Sequence, residues 1–468
     1  MVDLYQPFVK IFTKFVKISR LPYLLNWKFT SMSAPKKMSL AQLTLMTSVT
    51  MMGSGIIMLP TKLAQVGTIS VLSWLVTAVG SICLAYIFAK CAMFTPKEGL
   101  PAYAEHTFGK AGYFLVSYCY AISAVIAVVA ILTTSVSYAI TCFGWQLNTI
   151  ETCMVTIGLL WFCCVGNFLG DRWSGRLSSY AVWCVIAPIM FLSVAGWFWF
   201  DWDMYVGAWN PHDTPLFDAV SASISMTLWA FLGLETACTN ANAIENPQKN
   251  VPLAVMFATV GVAIIYILST NIIAGIVPNL ELANSNAPLG LVFTYMFTPE
   301  VGRVIGSLLV ISCTGCAFGW QFTISQLFQL SSKERLYPRI FNKVNRFGSP
   351  AIGLVIITII QTGICLLTAS PSTFEQFTLL SDLSVVTILV PYIISMASVR
   401  TLMDTANVSS TERVVNSFIA FLAIVYSFYA IYAIGETVVF YTAMVIFFGW
   451  VIWGFIAPNH DLPAPKMD

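Results

Sequence analysis

The sequence predicts an all-α polytopic membrane protein of twelve transmembrane helices: a 5+5 inverted repeat with two helices appended, and with helices one and six discontinuous. Three observations predict it. Hydrophobic residues make up 58% of the chain and charged residues 9%, with mean hydropathy +0.80, where a soluble globular chain carries about 25% charge. Apolar runs of about 20 residues, the length that spans a bilayer, recur along the whole chain. Two of those runs, five apart, contain glycine interruptions, and paired discontinuities at matching positions of two halves mark an inverted-repeat transporter with its site at the bilayer midplane. A net charge of +2 gives no reason to expect nucleic-acid binding.

In chain order, residues 1–37 read as a cytoplasmic N-terminal extension. The run VKIFTKFVKISR puts Lys10, Lys14 and Lys17 on one helical face with Phe8, Ile11, Phe12, Phe15 and Ile18 largely opposite, as an interfacial helix would. Basic and apolar residues are mixed there and no small-residue cleavage site follows, unlike a signal peptide. The segment Met32 to Met38 also reads as an ordinary start. The twelve spans are then expected at roughly 41–66, 69–94, 112–142, 150–169, 176–200, 217–241, 252–277, 302–331, 350–370, 376–398, 414–433 and 437–457. Residues 38–241 hold the first repeat and the start of the second, 242–398 the rest of the second, and 399–468 helices eleven and twelve with the C-terminus.

An even number of spans places both termini on one side. Of the 23 Lys and Arg residues, only Lys62 and Arg303 fall on the other, so the positive-inside rule makes the termini cytoplasmic. The basic loop with Lys333, Arg335, Arg339, Lys343 and Arg346 is read as part of that topology signal.

The first span contains its own break at Met51 to Pro60, MMGSGIIMLP. Gly53 and Gly55 each cost a helix interior roughly 1 kcal/mol relative to alanine, which fits backbone that unwinds. Unwinding frees the amides of Ser54, Gly55 and Ile56 at a half-helix N-terminus, which attracts a carboxylate, and frees carbonyls before them, which attract an ammonium. Close packing of helices through small residues would use the same glycines. The sixth span carries TLWAFLGLE, Thr227 to Glu235, with no Lys or Arg in the flanking Ala219 to Met226 or Thr236 to Ala243. A carboxylate left bare in lipid costs several kcal/mol, so Glu235 is expected to face a polar cavity.

The runs MMGSGIIMLPTKLAQVGTISVLSWLVTAVGS, SMTLWAFLGLETAC, ENPQKNVP, STNIIAGIVPN, MFTPEVG and GWQFTISQ, in order between about Met38 and Ala457, closely resemble the basic amino acid and polyamine antiporter branch of the amino acid–polyamine–organocation superfamily. The likeness is to its bacterial members that exchange putrescine for ornithine. It implies a multi-pass protein of the bacterial inner membrane and implicates Trp229, Glu235 and Cys238 on helix six, Trp320 on helix eight, Cys91 at the end of helix two, Glu105 in the loop beyond it, and Tyr118 and Tyr120 on helix three. Glu235 would pair with a primary ammonium, and Trp229 and Trp320 would supply cation–π faces worth about 0.5 to 2 kcal/mol each once desolvated. Cys91 and Cys238 equally suit packing, and Glu105 equally suits a solvated surface.

The chain departs from the family pattern in three places. Trp450 and Trp453 stand where the antiporters have Trp and Tyr, so a hydroxyl is absent. Val128 replaces an Asn of helix three. Asp382 replaces an Asn on helix ten, where it would hold a second ammonium or sit at the water boundary.

Putrescine and ornithine share a primary ammonium for Glu235 and the indoles, and the freed amides of the first break suit ornithine's carboxylate. A protonated Glu235 would permit one-way putrescine uptake with a proton. The same groups would accept cadaverine with lysine or agmatine with arginine, since one methylene is worth only about 1 to 3 kcal/mol in a pocket. A proton-coupled importer of cationic amino acids and a substrate-gated sensor are the rival classes. No cofactor or metal is expected: His106, His212 and His460 sit in separate segments without a nucleophile or ligand spacing nearby, and the CxxC pair Cys313 and Cys316 lies inside a span without partner ligands.

Overall fold

The computed structural model describes residues 38–53, 55–95, 99–236, 238 and 245–457, without the side chains of residues 171–173. The interfacial helix expected within residues 1–37, and Ser54, lie outside the described residues.

The first span is two helices. Ser39 and Gln42 form a reciprocal capping box that starts α1 (Leu40–Met51), which stops at the glycine break. The chain restarts as α2 (Leu59–Val66), where Pro60 sits in the first turn and its missing N–H costs nothing. After Gly67, at φ +100°, comes α3 (Val71–Phe94).

Helix α4 (Leu100–Phe143) is two rods joined at Gly109, whose φ of +63° is non-helical. Residues Leu100 to Phe108, expected as a loop holding Glu105, are therefore helical. The segment between Gly99, at φ +85°, and Gly109 is too short to span a membrane, which is why its helix is invisible to a search for spans.

The fourth span is α5 (Thr149–Asn167), started by an Asn148–Glu151 capping box, and the fifth is α6 (Asp171–Ala181) with α7 (Trp183–Ala195). A short helix, α8 (Trp202–Gly207), follows outside the spans. The sixth span is broken: α9 (Leu216–Ser221) and α10 (Ile224–Trp229) give way to turns from Ala230, with Gly233 at φ +103°.

Then come α11 (Pro247–Ala274), the loop helices α12 (Asn279–Ala283) and α13 (Pro288–Met296), and α14 (Pro299–Lys333), α15 (Ala351–Leu367), α16 (Thr373–Thr405), α17 (Ser410–Ile434) and α18 (Glu436–Ile456). Among the described residues ten helices are long and apolar enough to cross a membrane, and Leu40–Met51 and Ala351–Leu367 are the shorter apolar helices of the first and ninth spans. The protein is an all-helical, multi-pass membrane protein with breaks in spans one and six.

Packing places the breaks at the centre. Helix α4 lies along α16 and α14 through its buried length. Helices α17 and α18 sit at the periphery and expose Phe418, Phe421, Phe428, Phe440, Phe447, Phe448 and Phe455, as lipid-facing surface does. Lys90 on α3 pairs with Glu412 at the start of α17 at 2.7 Å, tying α17 to α3.

Candidate functional site

The two breaks touch. A Cβ placed on Gly55 would lie 2.8 Å from the Cα of Ala230, so only glycine lets the first break approach the second. Gly233 lies against Thr50 from the other direction. Tyr266 on α11, fully buried, points its single hydroxyl at carbonyls of both breaks, 2.8 Å from Met51 O and 3.2 Å from Ala230 O. Helix ends leave such carbonyls without internal partners, and a phenol from the neighbouring span supplies one here.

Glu235 emerges from the second break and is buried, with 2% of its surface exposed. The Tyr120 hydroxyl donates to Oε1 at 3.0 Å, the Tyr392 hydroxyl to Oε2 at 2.7 Å, and the amide of Gly233 to Oε2 at 3.2 Å. The positive φ of Gly233 turns that amide back onto the carboxylate two residues ahead. All three donors are neutral, and among the described residues no Lys, Arg or His comes within ion-pair distance of Glu235. Its orientation is fixed while its charge is left for something else to balance.

Glu235 lines a central chamber with Thr50, Gly55, Tyr120, Trp229 and Trp320. Ser123 and Ser384, which bond each other across α4 and α16 at 2.9 Å, also line it. The chamber holds about 50 Å³. At roughly 10 to 15 Å³ per water it suits a file of a few waters or one narrow unbranched chain. Trp229 packs edge-on against Phe377, with ring centroids 6.1 Å apart, and its indole Nε1–H is buried without an acceptor.

The chamber adjoins a cavity of about 530 Å³ that opens toward the face where α1 begins, the near face; Thr50, Cys316 and Trp320 line both. A cavity of about 560 Å³ on the far face shares no lining residue with the chamber.

Of the residues singled out from the sequence, Glu235, Trp229, Trp320, Gly55 and Tyr120 meet at this chamber. The others go elsewhere. Gly53 lines the near-face cavity, where a Cβ would sit 2.8 Å from Cys316 Sγ. The Ile56 side chain is fully buried in the core, as is Val128. Cys91 and Cys238 are buried without lining the chamber, Cys91 lying 4.0 Å from Ser395 O.

Glu105 pairs with Lys110 at 2.8 Å across the Gly109 bend, and Lys110 also reaches Glu334 at 3.1 Å. Tyr118 donates to Val445 O at 3.1 Å and packs with Phe114 and Trp453 in a separate cluster. Trp450, two-fifths exposed, stays outside both. Asp382 lines the far-face cavity instead of the chamber.

Tyr392, Ser123, Ser384 and Thr50 were not singled out by the sequence. Tyr392 lies next to Pro391 inside α16, and nothing local in the sequence marks its hydroxyl as a partner of Glu235.

Residues 38–457 match the amino acid permease family. The chain belongs to that family. This permease is thus a transporter and not an enzyme, and its relatives bear similar names. It is 52% identical over 433 residues to the "Putrescine transporter PotE" of Escherichia coli (strain K12), covering 92% of this chain and 99% of that protein. It is equally 52% identical over 427 residues, 91% and 98% of the two chains, to the "Putrescine transporter PotE" of Haemophilus influenzae. To the "Cadaverine/lysine antiporter" of Escherichia coli (strain K12) this permease is 29% identical over 369 residues, 78% of this chain and 83% of that one.

Proposed function

We propose that this permease exchanges putrescine for ornithine across the bacterial inner membrane, binding both at the chamber around Glu235. The observation that carries the reading is a buried carboxylate held by three neutral donors, with no cation beside it among the described residues. A primary ammonium is the countercharge it lacks, and Trp229 and Trp320 supply aromatic faces beside it. The narrow chamber favours an unbranched methylene chain, and the names of the relatives at 52% identity point the same way. Ornithine adds a carboxylate, for which the Nε1–H of Trp229, buried without an acceptor beside the chamber, is a donor, with the amides of Gly55 and Ile56 as the donors the first break would add.

The charge distribution supports cytoplasmic termini, which makes the near face cytoplasmic and the far face periplasmic. Alternating access then swaps the two substrates as the broken spans rock against α4, α14 and α16. An empty carrier with Glu235 ionised and unpaired resists reorientation, so exchange is favoured over one-way flux. Protonation of Glu235 would relieve that block and permit slow putrescine uptake with a proton.

Counterflow in proteoliposomes tests this. Labelled putrescine is expected to enter vesicles loaded with ornithine and to stay out of empty ones, and in a competition panel of diamines and basic amino acids putrescine and ornithine should compete most strongly. Entry driven by a proton gradient alone would replace exchange with import. Stronger competition by cadaverine and lysine, or by agmatine and arginine, would replace the substrate pair.

Tyr392→Phe removes one of the three donors while leaving the ring against Phe88, 4.9 Å away centre to centre. We expect a threefold to tenfold rise in the putrescine KM, about 0.7 to 1.4 kcal/mol, with the protein still folded by thermal melting in detergent.

A further inference from the structure

The far-face cavity, about 560 Å³, is walled by the outer half of the first span, the loop before α13 and the start of α16. Its charged residues are Lys62 on α2 with Glu375 and Asp382 on α16. Glu375 is engaged, since the Ser370 hydroxyl donates to its Oε2 at 2.7 Å. Asp382 is engaged on one side only: Ser225 hydrogen-bonds its carboxyl, while Oδ1 is buried without a partner and Lys62, the nearby cation, makes no ion pair with it within 4.0 Å. A buried carboxylate oxygen left unfilled beside a cavity is costly, and a native protein retains one where something else fills it.

Asp382 and Glu235 are two separate stations, although Ser384, two residues from Asp382, lines the chamber. Asp382 and Tyr392, the phenol that touches Glu235, are ten residues apart on the one helix α16, which is about 15 Å of axis. The five bonds between the nitrogens of a four-carbon diamine span only about 6 Å when extended. The edge-on pair of Trp229 and Phe377 also links α10 to α16, and the two cavities share no wall residue.

We infer that Asp382 forms an outer docking site for a primary ammonium, at which substrate arriving from the far face is held before it enters the chamber. Lys62 stands in the same cavity as the opposing charge. It repels a second ammonium, which keeps a diamine weakly held and able to move on. A basic amino acid can offer its carboxylate to Lys62 while its ammonium meets Asp382, so the two charges together fit a zwitterion better than either does alone. The inference rests on the diamine and amino acid reading above.

The test is sidedness, measured with the full-length protein in right-side-out and inside-out vesicles. For Asp382→Asn the putrescine KM from the Lys62 face is expected to rise threefold to tenfold, and that from the near face to change by less than twofold. Asp382→Glu should restore the far-face KM. Lys62→Gln should lower the far-face KM for putrescine and raise it for ornithine. A far-face KM unchanged in Asp382→Asn, or a rise that is equal from both faces, would overturn the docking site while leaving the exchange reading intact. Wild-type protein that moves putrescine from neither face would overturn that reading and the docking site with it.

Discussion

Glu235→Gln is expected to reduce putrescine transport about 30- to 150-fold while leaving the protein folded. The substitution preserves shape but removes the charge that balances an ammonium, and a charge-assisted hydrogen bond of this kind is worth about 2 to 3 kcal/mol. It also turns an acceptor into a donor on one side. Tyr120 and Tyr392 both donate to the carboxylate, so one phenol must rotate to accept from the new amide. Counterflow rates across a putrescine concentration series, with thermal melting as the control for folding, separate lost binding from lost protein. A variant whose KM stays within twofold of wild type would mean that the ammonium binds elsewhere, and the proposed chamber would then have to be abandoned.

The second large effect is expected from Gly55→Ala. The added methyl group would meet the backbone of Ala230 at 2.8 Å, and backbone cannot give way as a side-chain tip can. The two breaks must separate, which moves Glu235 relative to the first span. Transport is expected to fall more than tenfold. Gly261→Ala on α11 is the matched control, because a Cβ there meets nothing within 4 Å and should raise helix propensity without affecting flux. Equal transport by the two variants would show that the close approach of the breaks is not needed.

Much of this was visible in the sequence, for physical reasons that differ from residue to residue. The break at Gly53 and Gly55 stands out because glycine is expensive in a helix, and Glu235 because a carboxylate is expensive in a span. Cost makes a residue legible. Tyr392 carries no such cost: it is one of 18 tyrosines, and its role depends on α16 crossing Glu235, a tertiary fact. Ser123 and Ser384 meet only because α4 and α16 lie side by side.

Family likeness named Tyr118 and Tyr120 together, but two residues on a helix point about 200° apart. One reaches Glu235, and the other turns to α18 and bonds Val445. Glu105 was assigned to a loop because its helix is bounded by Gly99 and Gly109 at positive φ and is too short to register as a span.

Tyr266 has one proton and two claimants, Met51 O and Ala230 O, on segments 179 residues apart in sequence. A shared proton behaves as a coupling pin, because neither segment can drift without surrendering its portion of the bond to the other. The tie is worth about 1 kcal/mol, enough to bias the two segments toward moving together without locking them.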